Sequence, residues 1–119
     1  MTQADFAYIP VNFTFTAANP TFQTGFNIDQ ALVGGWMGGY LLITVRSVDS
    51  DSHRIFINSK ELLGWDIPLP PANSDAWFTY MDRIDPGVLQ AGGNSIRITR
   101  SGNDDFAVRD VVVHWREAA

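Results

Sequence analysis

Four tryptophans, Trp36, Trp65, Trp77 and Trp115, are the side chains of this chain best suited to recognition chemistry. An indole offers a large, rigid apolar face that can stack on the apolar face of a pyranose ring with little loss of entropy. Polar company stands near two of them: Asp66 follows Trp65, Asn73 and Asp75 precede Trp77, and Arg83 falls on the alternation of Trp77. A carboxylate or amide beside a stacking ring accepts neighbouring hydroxyls, and small-molecule sites combine a few such groups with apolar walls. Trp36 lies inside Gly34-Gly35-Trp36-Met37-Gly38-Gly39, a loop around two large apolar side chains. Trp36, Trp65, Asp66, Asn73, Asp75, Trp77 and Arg83 are therefore the candidate ligand-binding residues. Each also has a structural reading, because tryptophan is highly buried on average and Asp and Asn are common in turns.

Other constellations are weaker. Asn103-Asp104-Asp105, helped by Asp110, offers the oxygen ligands that calcium prefers. The run lacks the spacing of an EF-hand loop, and a solvated hairpin turn accounts for the same residues. The Asp49-Ser50-Asp51 turn carries the same two readings. His53 and His114 are the only histidines, short of the three or four ligands of a zinc site. The glycine-rich loop at 34–39 has no Lys, Ser or Thr for a phosphate, and no nucleophile elbow is present. Asp82 and Asp85 do not make a glycosidase pair by sequence alone, since their separation is a spatial fact. A non-catalytic protein is expected.

Composition narrows the partners. At 119 residues the chain fits one domain, 1–119, that can bury a core without staples. Its 45% hydrophobic and 18% charged residues are too apolar for a disordered chain. A net charge of -5, with eight Lys and Arg in no run, argues against nucleic acid and anionic membrane as partners. Without cysteine there is no disulfide framework and no thiolate chemistry. Met1 to Pro10 has no basic region leading into an apolar stretch, and no window approaches the roughly 20 apolar residues of a membrane helix. A soluble chain without an export signal is expected, with its compartment open. The sequon Asn12-Phe13-Thr14 falls within an expected strand and is read as chance.

The elements that must carry these residues are strands. Short β-branched and aromatic runs alternate with Gly, Pro, Asn and Asp at the spacing of a β-sandwich, and no amphipathic helix stands out. Phe6 to Phe15 places Val11, Phe13 and Phe15 on one face. Phe22 to Ile28 repeats the alternation. Tyr40 to Val48 is apolar on both faces through Tyr40-Leu41-Leu42-Ile43, as expected of a central strand packed on two sides. Its close spacing to Ile55–Asn58 predicts a hairpin between the two. Another short strand is expected within Leu62 to Ile67, and the proline-rich run at 68–74 is expected to be a loop or an edge. Ala76 to Ile84 sets Phe78, Tyr80 and Ile84 against Trp77, Thr79, Met81 and Arg83. Ser95 to Arg100 turns Ile96 and Ile98 inward, Ser101 to Asp105 is read as a polar hairpin connection, and Phe106 to Trp115 closes the chain. The result is an all-β antiparallel sandwich of about eight or nine strands.

Three stretches sharpen that expectation: Phe56-Ile57-Asn58-Ser59-Lys60-Glu61-Leu62, Leu89-Gln90-Ala91-Gly92-Gly93-Asn94-Ser95-Ile96-Arg97-Ile98, and Asp105 to Trp115. Together they resemble the galactose-binding-domain-like jelly roll of carbohydrate-binding modules and of the sugar-binding domains of β-galactosidase-type glycosidases. The first is similar to that family's strand and turn ending in Asn-Gly, with Ser59 where glycine is usual. The second is similar to its Leu-x-x-Gly-x-Asn-x-Ile pattern, and the third to its closing strand. The resemblance covers roughly Tyr40 to Trp115. It implies a jelly roll, a carbohydrate partner met through loops at one end or through a concave sheet face, and a structural calcium in many members. It marks no particular binding residue here. The function expected on these grounds is a non-catalytic carbohydrate-binding module or small lectin. The alternative is a structural or assembly domain whose exposed Trp, Met and Phe residues form a protein–protein or homo-oligomer contact.

Overall fold

A computed structural model describes residues 2–29, 38–62, 67–71 and 75–118. Its strands are β1 (Thr2–Phe15), β2 (Thr21–Ile28), β3 (Gly39–Arg46), β4 (Arg54–Ile57), β5 (Lys60–Glu61), β6 (Phe78–Ile84), β7 (Gly92–Thr99) and β8 (Phe106–Ala118). They form two four-stranded sheets, ordered β1-β8-β3-β6 and β2-β7-β4-β5, with every pairing antiparallel. β1 pairs with β8, β2 with β7, β3 with β6 and β4 with β5, the winding of one long hairpin that defines a jelly roll. Among the described residues no helix is long and apolar enough to cross a membrane.

Alternation builds the core between the sheets. Ile9, Val11 and Phe15 of β1, Leu41, Ile43 and Val45 of β3, and Val111, Val113 and Trp115 of β8 face Ile28, Ile55, Ile57, Ile96 and Ile98 of the second sheet. Phe78, Tyr80 and Ile84 lie on the inner side of β6 and Thr79, Met81 and Arg83 on the outer side, as their alternation predicts. Leu89 plugs the core ahead of β7.

Two polar devices fix the connections. Asn58 and Ser59 have φ of 52° and 66°, so the two-residue turn between β4 and β5 is of the type whose twist suits a hairpin. The Asn58 side chain donates to the Val88 carbonyl at 2.8 Å and to Asn94 Oδ1 at 2.8 Å, and accepts the Ser95 amide at 2.9 Å. Buried Asn94 in turn holds the backbone of Gln90 and Gly92. The asparagines of the second resembling stretch are thus clamps for the approach to β7.

The second device lies at the other rim. His53 is fully buried, stacked on Phe106 at 4.0 Å between ring centroids. Its Nδ1 accepts the Ser101 amide at 3.1 Å, so its proton sits on Nε2 and is donated to Asp104 Oδ2 at 2.7 Å. The same carboxylate oxygen accepts the amides of Asp49 and Ser50 at 2.9 and 3.1 Å.

That knot corrects two expected hairpins. Tyr40 to Val48 and Ile55 to Asn58 do not pair, because Asp104 gathers the amides of Asp49 and Ser50 and the chain crosses there from β3 in one sheet to β4 in the other. Likewise Ser101 to Asp105 carries the chain between sheets, from β7 to β8, and Asp104 is buried rather than solvated. Of the strand expected within Leu62 to Ile67, Leu62 and Ile67 are buried outside any strand, and 63–66 lie outside the described residues.

Two substitutions test these devices by chemical denaturation. Ser59→Gly relieves a left-handed residue and should raise stability by up to about 1 kcal/mol. Asp104→Ala leaves buried His53 and two part-buried amides without their acceptor and should lower stability by about 3–5 kcal/mol.

Candidate functional site

In an antiparallel sandwich the outer face of each sheet is normally polar. The β2-β7-β4-β5 sheet obeys: Gln23, Asn27, Ser95, Arg97 and Arg54 point outward, with Arg97 over Phe56 and Arg54 paired to Glu61. Outward positions of the β1-β8-β3-β6 sheet are different. Backbone register aligns Phe6, His114, Tyr40 and Arg83 in one row across the four strands, and Tyr8, Val112, Leu42 and Met81 in the next. Phe6, Tyr8, Tyr40 and Met81 are 59%, 56%, 41% and 68% exposed. The strand expected to be packed on both sides, β3, instead shows Tyr40 and the half-buried Leu42 on an open face. Its outward apolar residues are a surface.

A cavity of about 640 Å³ lies at one end of this face, lined by Tyr40, His114, Arg83, Arg116, Pro86 and the glycines at 38 and 39 among others. Tyr40 stacks on His114 at 4.5 Å and 11°, and Phe6 leans on the other side of the imidazole at 5.9 Å. The floor depends on missing side chains. A Cβ on Gly39 would lie 2.1 Å from the His114 carbonyl oxygen, and one on Gly38 equally close to that of Ile84. Arg83 donates to Asp85 Oδ1 through Nε at 3.1 Å and Nη2 at 2.8 Å, which holds its guanidinium at the rim.

At the other end a smaller cleft of about 430 Å³ is lined by Trp77, Arg46, Arg109, Ser47 and Asn12 with Ala107 and Val108. Arg109 and Arg46 place their guanidinium carbons 4.8 and 5.9 Å from the indole centroid. Asp75 takes Arg46 at 3.3 Å and the Ser47 hydroxyl at 3.1 Å, and these partners hold its carboxyl below the usual carboxylate range. Between the two ends Tyr8 donates to Asp110 at 2.5 Å; that bond and partial desolvation push the phenol up. From Tyr40 to Arg46 along β3 the ends are about 20 Å apart at the usual strand rise.

The residues singled out by sequence therefore divide. Trp77 lines the smaller cleft and Asp75 bonds two of its lining residues, Arg46 and Ser47, whereas Arg83 belongs to the larger cavity. Trp36, Trp65, Asp66 and Asn73 lie outside the described residues. Of the oxygen donors read as calcium ligands, Asn103 is exposed, Asp104 is buried with Oδ2 taken by His53 and two amides, and Asp105 pairs with Arg100 at 2.9 Å. Asp110 sits apart, farther along β8, with Tyr8 and Arg109. Among the described residues no group of three or more His, Cys, Asp and Glu is arranged to hold a metal ion. Sequence reasoning missed Phe6, Tyr8, Tyr40, His114, Arg46, Arg109 and Arg116. Aromatic residues at the polar phase of an alternating strand were the available signal.

Next to Arg116 on β8, Glu117 is 1% exposed, opposite Gln3 in register and hydrogen-bonded to Asp5 two residues on. Protonated Glu117 donates to the Asp5 carboxylate, which raises the Glu117 carboxyl, aided by burial and the Asp5 charge, and the same bond together with the Phe6 amide lowers Asp5. The stability due to a raised Glu117 is full below its ordinary 4.5 and is lost as pH rises through the raised value. Asp5 contributes above its ordinary 3.8 and loses that contribution as pH falls through its lowered value. Glu117→Gln should therefore melt higher than the parent at about pH 8, with the advantage shrinking toward about pH 4. Thermal melts across that range check it.

Over residues 3–117 the sequence matches the family described as "Family of unknown function (DUF7383)", and the chain belongs to that family. No curated protein matches it. Among solved structures, latent dimeric PorU from Porphyromonas gingivalis is similar with a TM-score of 0.66 and 9% identity, covering 98% of this chain and 13% of that one. A β-porphyranase of glycoside hydrolase family 86 from the gut bacterium Bacteroides plebeius is similar at 0.59 and 15%, covering 98% and 20%. A further family 86 protein, BuGH86 in complex with neoagarooctaose, is similar at 0.60 and 11%, covering 97% and 19%. The chain thus spans about a fifth or less of the length of these proteins, and at such identities the likeness is one of fold.

Proposed function

We propose that this member of the family is a non-catalytic carbohydrate-binding domain that receives a glycan on the outer face of the β1-β8-β3-β6 sheet, with the Tyr40–His114 cavity as its principal subsite. The observation that carries the reading is the exposed aromatic face itself. Four large apolar side chains stand in water on one sheet, while the opposite sheet is polar apart from Phe56, which Arg97 covers. The cavity volume of about 640 Å³ lies within the range of small-ligand sites, and aromatic walls with a few polar groups suit a sugar's alternating apolar faces and hydroxyls. Arg83, held by Asp85, presents donors to ring or hydroxyl oxygens at the rim. Two proteins of the same fold, a β-porphyranase and one in complex with neoagarooctaose, keep such sandwiches in polysaccharide-handling company. That company supports the reading.

The same exposure favours a second reading. Met81 and Phe6, both more than half exposed, would equally suit the surface of another protein domain or a second copy of this chain.

A glycan array followed by calorimetry separates the two. Binding of a neutral or acidic oligosaccharide is expected, and Tyr40→Ala should weaken it about tenfold, the loss of one aromatic wall, without changing the melting curve. Affinity in calcium and in chelator should agree, because Tyr40, His114 and Arg83 form no oxygen cage for a cation. A silent array together with concentration-dependent association in sedimentation would establish assembly instead.

A further inference from the structure

We infer that the Trp77 cleft is an anion subsite of this face, so that the preferred glycan is acidic and bears a carboxylate or a sulfate group; this rests on the glycan-binding reading above. Two guanidinium groups converge on one indole, and the lining Asn12 adds an amide donor, while the Ser47 hydroxyl is held by Asp75. Ala107, small at its outward position, leaves room above β8.

The existing partners of these arginines are loosely held. Arg46 meets Asp75 at 3.3 and 3.4 Å and Arg109 meets Asp110 at 3.3 Å, long beside the 2.7–2.9 Å of strong charge-assisted bonds. Both arginines are about half exposed, where such pairs contribute little. An entering oxyanion therefore exchanges weak carboxylate contacts for shorter ones. Contrast Arg83, whose closest bond to Asp85 is 2.8 Å.

Backbone geometry is spent on this cleft. Asn12 and Ser47, which line it, hold φ of 44° and 64°, and the register shifts on both sides of β8 flank Arg109. Bulges re-aim side chains, and left-handed non-glycine residues persist where the surroundings fix them. Charge agrees as well. Arg46, Arg83, Arg109 and Arg116, four of the eight basic residues of a chain with net charge -5, fall on this one face. Three of them stand beside a carboxylate, Asp75, Asp85 and Asp110, so an entering anion must displace or share those partners.

Two titrations of the whole chain test the assignment. Inorganic sulfate is followed through the Trp77 indole N–H resonance, and calorimetry compares a galacturonate tetrasaccharide, a sulfated carrageenan tetrasaccharide and neutral neoagarotetraose. Sulfate should move the Trp77 resonance. One acidic sugar should bind about tenfold or more tightly than the neutral one, as a charged hydrogen-bonded contact warrants. Arg46→Ala and Arg109→Ala should erase that advantage, so that acidic and neutral sugars bind alike, with the melting curve showing that each variant is folded, and the two acidic arms identify which anion is preferred. Equal affinity for all three sugars, an unmoved Trp77, or an advantage that survives both substitutions would overturn the inference. If sulfate moves Trp77 but no sugar binds, the anion site stands and the glycan reading falls; if only neutral sugar binds, the reverse holds.

Discussion

Everything on the proposed binding face depends on how β8 is paired. It is hydrogen-bonded on both sides, to β1 and to β3, and its register shifts against both neighbours near Arg109. On one side of the shift Phe106 and Val108 point into the core, and on the other Val111, Val113 and Trp115 do. The inward residues change from even to odd numbers across a single strand. A strand of this length can remain buried on its inner face only if that slip is accommodated, because a one-residue displacement otherwise turns every side chain over.

The slip decides what reaches water. Above it, His114 and Val112 come to the outer face in register with Phe6, Tyr40 and Leu42, so the aromatic rows are complete. Below it, Ala107 faces outward and Arg109 is directed toward Trp77. Inner burial and outer recognition are thus two sides of one alternation. The polar clamps stand behind this arrangement, with the His53–Asp104 knot holding the crossovers at one rim and Asn58 with Asn94 fixing the approach to β7. At the face itself, Gly38 and Gly39 allow the close backbone approach that side chains would block.

Much of the fold was legible in the sequence. Alternation over Phe78–Ile84, the inward pair Ile96 and Ile98, and the turn at Asn58-Ser59 are local signals, and the structure contains them where local physics places them. Pairing partners were less legible. The short spacing between Tyr40–Val48 and Ile55–Asn58 reads as a hairpin, but the deciding interaction, Asp104 capping the amides of Asp49 and Ser50, comes from more than 50 residues away. The site divided in the same way. Trp77 and Asp75 were recognisable as neighbours in sequence. The Phe6-His114-Tyr40-Arg83 row joins four strands distant along the chain, and only their shared polar-phase positions hinted at it.

The central claim is that the outer face of the β1-β8-β3-β6 sheet, and not its polar counterpart, is the surface built for recognition. Mapping amide chemical shifts during titration with the tightest oligosaccharide tests it most directly. The account predicts perturbations confined to Phe6, Tyr8, Tyr40, Leu42, His114 and the Trp77 region. Perturbations centred on Gln23, Asn27, Ser95 and Arg97 of the opposite sheet would contradict it.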